Sequence, residues 1–298
     1  MKKLIVILVV LSSPLVAFAK LQVATSTPDL AAIVSEVGKG EVEVFSIAKG
    51  TQDPHQIDAK PSFMIKLRNT DLVVSHGLEL ESAWLVPLIQ GARNSKLSEK
   101  KALLELAADL EPIEVSKGNV TRAEGDVHPG GNPHFQLDPV RLGQASLLIA
   151  KRMGDLNPSQ KDFYLKNAES FNKQMGDKTK EWQDRIKKTG ITEIVTYHKT
   201  FSYFCNRFQI QCNLQLEPKP GIPPTASHIL AVIEQMKERK LHLVLIENLY
   251  DDSVKSKLEQ SVPDVKVFRV PVYVGGEPEI TTNEQLIEKI VKAVEGKN

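Results

Sequence analysis

The chain has only two cysteines in 298 residues, few aromatic residues (6%) and a formal net charge of +1. Each scarcity excludes something. Two cysteines cannot staple a disulfide-dense mini-protein, and no C-x-x-C pair is present to form a dithiol redox motif. A near-neutral chain without a block of like charges carries no electrostatic footprint for nucleic acid. Beyond the first 19 residues, no apolar run approaches the roughly 20 residues that a membrane-spanning helix needs. H-E-x-x-H, G-x-S-x-G and the phosphate-cradling G-x-x-x-x-G-K-[ST] are also missing. What remains is ordinary globular chemistry, 41% hydrophobic and 25% charged, with 17 glycines and 17 prolines. That length and composition allow one large domain or two lobes.

The amino terminus reads as an export signal. Lys2 and Lys3 precede the apolar run Leu4–Leu11, Ser12, Ser13 and Pro14 break it, and Ala17-Phe18-Ala19 is a small-x-small cleavage pattern. From Leu4 to Ala19 the stretch is too short to span a bilayer. Cleavage after Ala19 leaves Lys20 first, and no cysteine follows to carry a lipid anchor. A soluble protein of a bacterial periplasm is expected. In that oxidising space Cys205 and Cys212, seven positions apart, are expected to pair as a local staple.

Downstream, strand and helix patterns alternate. Leu21–Thr25, Val42–Ile47 and Asp71–Ser75 read as strands, with helices near Leu30–Val37, Pro61–Arg68 and Ser82–Gly91. The rhythm returns in strands at Glu193–Tyr197, Ile210–Leu214, Leu241–Ile246 and Val265–Val270. Helices are expected there at Phe201–Phe208, Thr225–Arg239, Asp252–Gln260 and Asn283–Val294. Such alternation predicts an α/β fold with parallel sheets and helical crossovers. Between the halves, Tyr164, Ala168, Phe171, Met175, Trp182 and Ile186 recur at helical spacing. With Asn157 as N-cap, Pro158 at N1 and Gly190 as stop, this predicts one stiff helix about 45 Å long. The expected organisation is a signal (1–19), an N-terminal lobe (20–156), a connecting helix (157–189) and a C-terminal lobe (190–298). Residues 113–132 have no period and several glycines, and read as a surface loop of the kind that borders sites.

Seven histidines are present, and two share a local frame: Asp53-Pro54-His55 and Asn132-Pro133-His134. Proline fixes φ and the Asx side chain can bond its own turn, so each imidazole stands on a rigid corner. His198 follows the strand Glu193–Tyr197, and ligands gather at the carboxyl ends of parallel strands. Three imidazoles from distant segments can thus converge between lobes. Neutral imidazole suits zinc and other first-row metals, whereas calcium and magnesium favour oxygen. Taken singly, His76, His228 and His242 read as structural, and His128 is a candidate accessory ligand.

The motifs Thr51-Gln-Asp-Pro-His-Gln56, Asn132-Pro-His-Phe-Gln-Leu-Asp-Pro139 and Thr196-Tyr-His-Lys-Thr-Phe-Ser-Tyr-Phe204 carry a resemblance. So do Asn69–Val74, Gly77–Trp84 and Glu217-Pro-Lys-Pro-Gly-Ile-Pro-Pro-Thr225. Together they resemble the periplasmic zinc/manganese solute-binding proteins of ABC importers. The resemblance implies two lobes joined by one long helix, each lobe a mainly parallel sheet with flanking helices, and metal held in the cleft. It implies His55 and His134 as ligands from the first lobe and His198 from the second. In that family histidine at the third position leans towards Zn²⁺ and a carboxylate towards Mn²⁺, so Zn²⁺ is expected, with Mn²⁺ or Fe²⁺ as alternatives. The Asp that often supplies a fourth ligand is missing from Val270–Glu279. Glu247, which also matches a family glutamate that can orient an imidazole instead, is taken for its place, with Glu277, His128 and water as alternatives. The implied partner is a membrane permease, the chain acting as a monomer and not as an enzyme. A zinc hydrolase is the rival class, since three histidines with an open position also form a catalytic shell.

Overall fold

The computed structural model describes residues 20–118 and 124–297. The expected signal and its cleavage site at Ala19 lie outside the described residues. The first lobe is built from β1 (Leu21–Thr25), α1 (Pro28–Gly38), β2 (Val42–Ser46), α2 (Pro61–Leu67), β3 (Leu72–Ser75), α3 (Ser82–Ala92) and β4 (Leu103–Glu105). Its strands are parallel and ordered β2-β1-β3-β4. β3 is buried along its whole length, which a parallel strand covered on both faces requires and which Leu72-Val73-Val74 satisfies. Helices α4 (Pro139–Leu156) and α5 (Lys161–Thr189) follow. The second lobe contains β5 (Glu193–Thr196), α6 (Ser202–Phe208), β6 (Gln211–Gln215), α7 (Ala226–Arg239), β7 (Leu243–Glu247), α8 (Ser253–Ser261), β8 (Lys266–Val270) and α9 (Asn283–Val294). Its sheet is again parallel, ordered β6-β5-β7-β8. Both sheets therefore reverse strand order beside their first strand, and open crevices at their carboxyl ends.

The long helix differs from expectation at its start. Pro158–Gln160 form a 3₁₀ turn, α5 begins at Lys161, and Asn157 ends α4 by donating its backbone N–H to Met153 O. Gly190 closes the helix at φ +70°, as expected for a left-handed stop. α4 and α5 form an antiparallel hairpin: Ser146 Oγ donates to Ala168 O, and the α carbon of Gly143 lies so close to Asn172 that an added Cβ would sit 2.3 Å from its Oδ1. The apolar stripe of α5 (Tyr164, Ala168, Phe171, Met175, Trp182, Ile186) is buried throughout. Neither α4 nor the three-residue β4 is placed by the pattern of the sequence read above.

Each lobe has an apolar cluster of its own, and a third, larger one is common to both. It runs from Val23 and Leu30 through Ile149, Phe171 and Trp182 to Phe204, Leu245 and Ile287. Asp138, wholly buried, caps α4 through Val140 N–H (3.0 Å) and pairs with Arg141 (2.6 Å) and, across the lobe boundary, with Arg207 of α6 (2.8 and 2.9 Å). α9 reaches back to the first lobe, where Asn283 Nδ2 donates to Asp29 O at 3.1 Å. Cys205 and Cys212 are bridged, joining α6 to β6 with Cα atoms 6.2 Å apart. Among the described residues, no helix is long and apolar enough to cross a membrane.

Candidate metal centre

Three corners of the chain present imidazoles to one point. His55 stands on the loop after β2, where Asp53 Oδ1 accepts its backbone N–H (2.9 Å) and lies 2.7 Å from its Nδ1. The intervening proline is pinned too, Trp84 Nε1 donating to Pro54 O at 2.8 Å. His134 stands on the matching corner before α4, and Asn132 Oδ1 accepts its N–H at 2.9 Å. The two Asx-Pro-His frames thus make the same turn. Asn132 also holds the second lobe, donating to Lys199 O (3.0 Å) and accepting from Tyr203 Oη (2.6 Å). His198 lies two residues beyond β5, with its Nδ1 2.7 Å from Glu217 Oε2. Glu217 occupies the equivalent place beyond β6 and is held by Gly221 N–H at 3.1 Å.

One nitrogen from each of His55, His134 and His198 lies within 4.8 Å of the other two. The Nε2 atoms of His134 and His198 are 3.4 Å apart, and the three ring centroids are separated by 5.1, 5.3 and 5.6 Å. Zinc–nitrogen bonds of about 2.0–2.1 Å at tetrahedral angles put nitrogens about 3.3 Å apart, so the spacing fits a shared ion. With Nδ1–H donating to Asp53 and to Glu217, His55 and His198 direct their Nε2 lone pairs inward, the carboxylate–histidine arrangement that orients metal ligands. His134 Nδ1 is buried without a hydrogen-bond partner among the described residues.

Burial dominates the electrostatics. It drives His134 well below the ordinary 6.5, and with the charge of His55 it takes His198 down to about 3 and His128 to about 4. These rings are neutral at pH 7 and available as donors. Burial also acts on His55, but Asp53, Asp126 and Glu217 outweigh it and raise its pKa. Glu217 is pushed up to about 8 by burial, which like the shift of His198 favours an uncharged pair until a cation arrives. A cation on Nε2 restores the ionised carboxylate facing an N–H.

The remaining candidates fall in different places. His128 is half-buried on the loop, its Nε2 3.4 Å from His55 Nε2 but its ring 6.4 Å from that of His134. Glu247, the last residue of β7, is completely buried and lies outside the three-nitrogen group. Neither of its oxygens completes a hydrogen bond, although the Thr200 hydroxyl is near, and burial pushes its pKa to about 8. Glu277 pairs with Lys289 at 3.0 Å. His228 meets Gln215 O and His242 meets Pro263 O, the structural roles expected of them. A small cavity beside the cluster is lined by Glu114, Asp126, His128, His134 and His198. A larger open groove at the amino ends of the first sheet is lined by Lys20, Glu43, Asp71 and Lys96, and gathers no such set of donors. The bracing carboxylates Asp53 and Glu217 are not singled out for this role by the sequence. The signal for Glu217 is its register, two residues past a strand end, like His198.

With this geometry the comparisons fall into place. Residues 23–295 match the family described as zinc-uptake complex component A, periplasmic. The chain belongs to this family. Its members are solute-binding components of transport systems, not enzymes. The manganese ABC transporter substrate-binding lipoprotein PsaA of Streptococcus mitis is 23% identical over 259 residues, covering 85% of this chain and 79% of that protein. A crystal structure of ZnuA superposes with a TM-score of 0.77 at 21% identity, covering 92% of this chain and 99% of that one. A manganese-bound mutant of the periplasmic metal-binding protein of Candidatus Liberibacter asiaticus gives 0.76 at 20% identity, covering 93% and 99%. At such identities the two structures establish the two-lobed fold.

Proposed function

We propose that this chain captures a divalent transition metal as cargo between its lobes, Zn²⁺ in preference, and delivers it to the permease of an ABC importer. His55, His134 and His198 are the ligands in this reading. It is carried by one observation: three imidazoles from remote segments, two braced by carboxylates, whose nitrogens meet within 4.8 Å. An all-nitrogen set favours zinc over manganese, which prefers oxygen. For the fourth place, His128 is the better candidate, because its Nε2 is 3.4 Å from His55 Nε2 while Glu247 stands outside the group. The protein works in the periplasm as a monomer after removal of its signal.

Manganese is the second reading, favoured by the manganese named for PsaA and bound in the Liberibacter neighbour. Histidine in place of a carboxylate at position 198 argues against it. Calorimetry at pH 7.5 with zinc and manganese is the test. One tight zinc site per chain is expected, weaker for manganese, and lost when His55, His134 and His198 are all changed to Ala. One-to-one binding retained by that triple variant overturns the assignment.

A further inference from the structure

His134 lacks what the other two imidazoles have. Asp53 faces Nδ1 of His55 and Glu217 faces Nδ1 of His198, but among the described residues nothing accepts from Nδ1 of His134. Its orientation must come through the backbone on either side. One buried residue touches both sides. His76, directly after β3 and fully buried, places Nδ1 3.0 Å from the carbonyl oxygen of Pro133 and packs its ring, tilted by 40°, 4.7 Å from that of Phe135. These are the two chain neighbours of His134. A carbonyl only accepts, so the proton of that hydrogen bond sits on His76 Nδ1.

His76 is itself held from several directions. Its Nε2 lies 3.0 Å from Thr27 Oγ1 and 3.3 Å from Asp29 Oδ2. Its backbone N–H and that of Gly77 donate to the two oxygens of Glu81 at 2.8 and 3.0 Å. Asp29 is tied in turn to α9 through Asn283. We propose that His76 is the positioning residue for His134, fixing by its bond to Pro133 the ligand that has no carboxylate of its own. The proposal rests on the metal-binding reading above.

A histidine that merely fills space is indifferent to where its donor sits; a positioning histidine is not. The Asn side chain puts its NH₂ near the place of Nδ1, whereas Gln extends it towards that of Nε2. His76→Asn therefore keeps the bond to Pro133 O and gives up Asp29, and His76→Gln does the reverse. Both are polar and of similar size, and each is compared with the wild type and with His198→Ala. Zinc affinity is read by chelator competition, the ligand field by the visible bands of the Co²⁺-loaded protein, and stability by melting of the metal-free protein. His76→Gln is expected to weaken zinc about 10–100-fold, as loss of a ligand's support does, and to shift the cobalt bands. His76→Asn is expected to stay near wild type in both, even where its melting temperature falls. Equal zinc affinity and unchanged cobalt bands in the two variants overturn the proposal. Absence of zinc binding by the wild type defeats the function itself, a distinct result.

Discussion

At the residue scale, the carboxylates behind His55 and His198 matter as much as the imidazoles they face. Glu217 fixes the ring of His198 through Nδ1 at 2.7 Å. Glu217→Ala is therefore expected to lower zinc affinity about 10–100-fold without changing the one-to-one ratio, measured by chelator competition. Protons compete for the same nitrogens, and His55, whose pKa is raised, takes one first as pH falls. Zinc affinity should begin to drop while pH is still above the ordinary imidazole value of 6.5, checked by titrations from pH 8 to 5.5. Glu247 acts in the opposite range. Its pKa rises from 4.5 to about 8, so between those values the native state holds a proton that the unfolded chain has released. Its contribution to stability is full below about 4.5 and is lost as pH rises through 8. Glu247→Gln, which cannot ionise, should flatten the fall in metal-free stability between pH 6 and 9 in urea melts. His55 and His134 stood out in the sequence because the Asx-Pro-His frame is local: both turns form through a side chain two residues upstream. Glu217 and His76 did not, because one meets its imidazole across 19 residues and the other acts across 57.

At the element scale, periodicity located most of the fold. β1 and α9 occupy the residues that the pattern assigns to them, α4 and β4 were not placed, and the remaining elements other than α5 differ at their ends by a residue or two. β4 escaped because it has three residues set between 3₁₀ turns, too few for any period to register. The start of α5 was misplaced because proline is equally at home in the first turn of an α-helix and in a 3₁₀ turn, and Asn157 serves the helix before it. The central helix draws its stability from packing more than from propensity. Trp182 is fully buried and donates Nε1–H to Glu288 of α9 at 2.8 Å. Trp182→Ala should cost about 3–5 kcal/mol, read from denaturant melts, by opening a cavity between α5 and α9. Arg185, which bonds Glu288 and Glu295 nearby, is partly exposed and is expected to matter far less.

At the scale of the whole molecule, the decisive feature is that the sheets are two while the largest apolar cluster belongs to both. Domains that move freely meet through modest polar interfaces. Here Val23 and Leu245 belong to the same apolar cluster, and Asp138 bonds an arginine from each side of the boundary. Metal loading is therefore expected to adjust loops and not to swing lobes. Small-angle scattering of the zinc-free and zinc-loaded protein should give the same radius of gyration within error, while zinc at 100 times its dissociation constant stabilises the fold by about 2.7 kcal/mol.

The crossing of α9 has a consequence in time. Leu286, Ile287 and Ile290 belong to the same apolar cluster as α1, which α9 bonds through Asn283 to Asp29, some 250 positions earlier in the chain. Until α9 emerges from the ribosome, the first-made half lacks part of its interior. The early strands therefore gain their full set of neighbours only after residues some 250 positions downstream have been made.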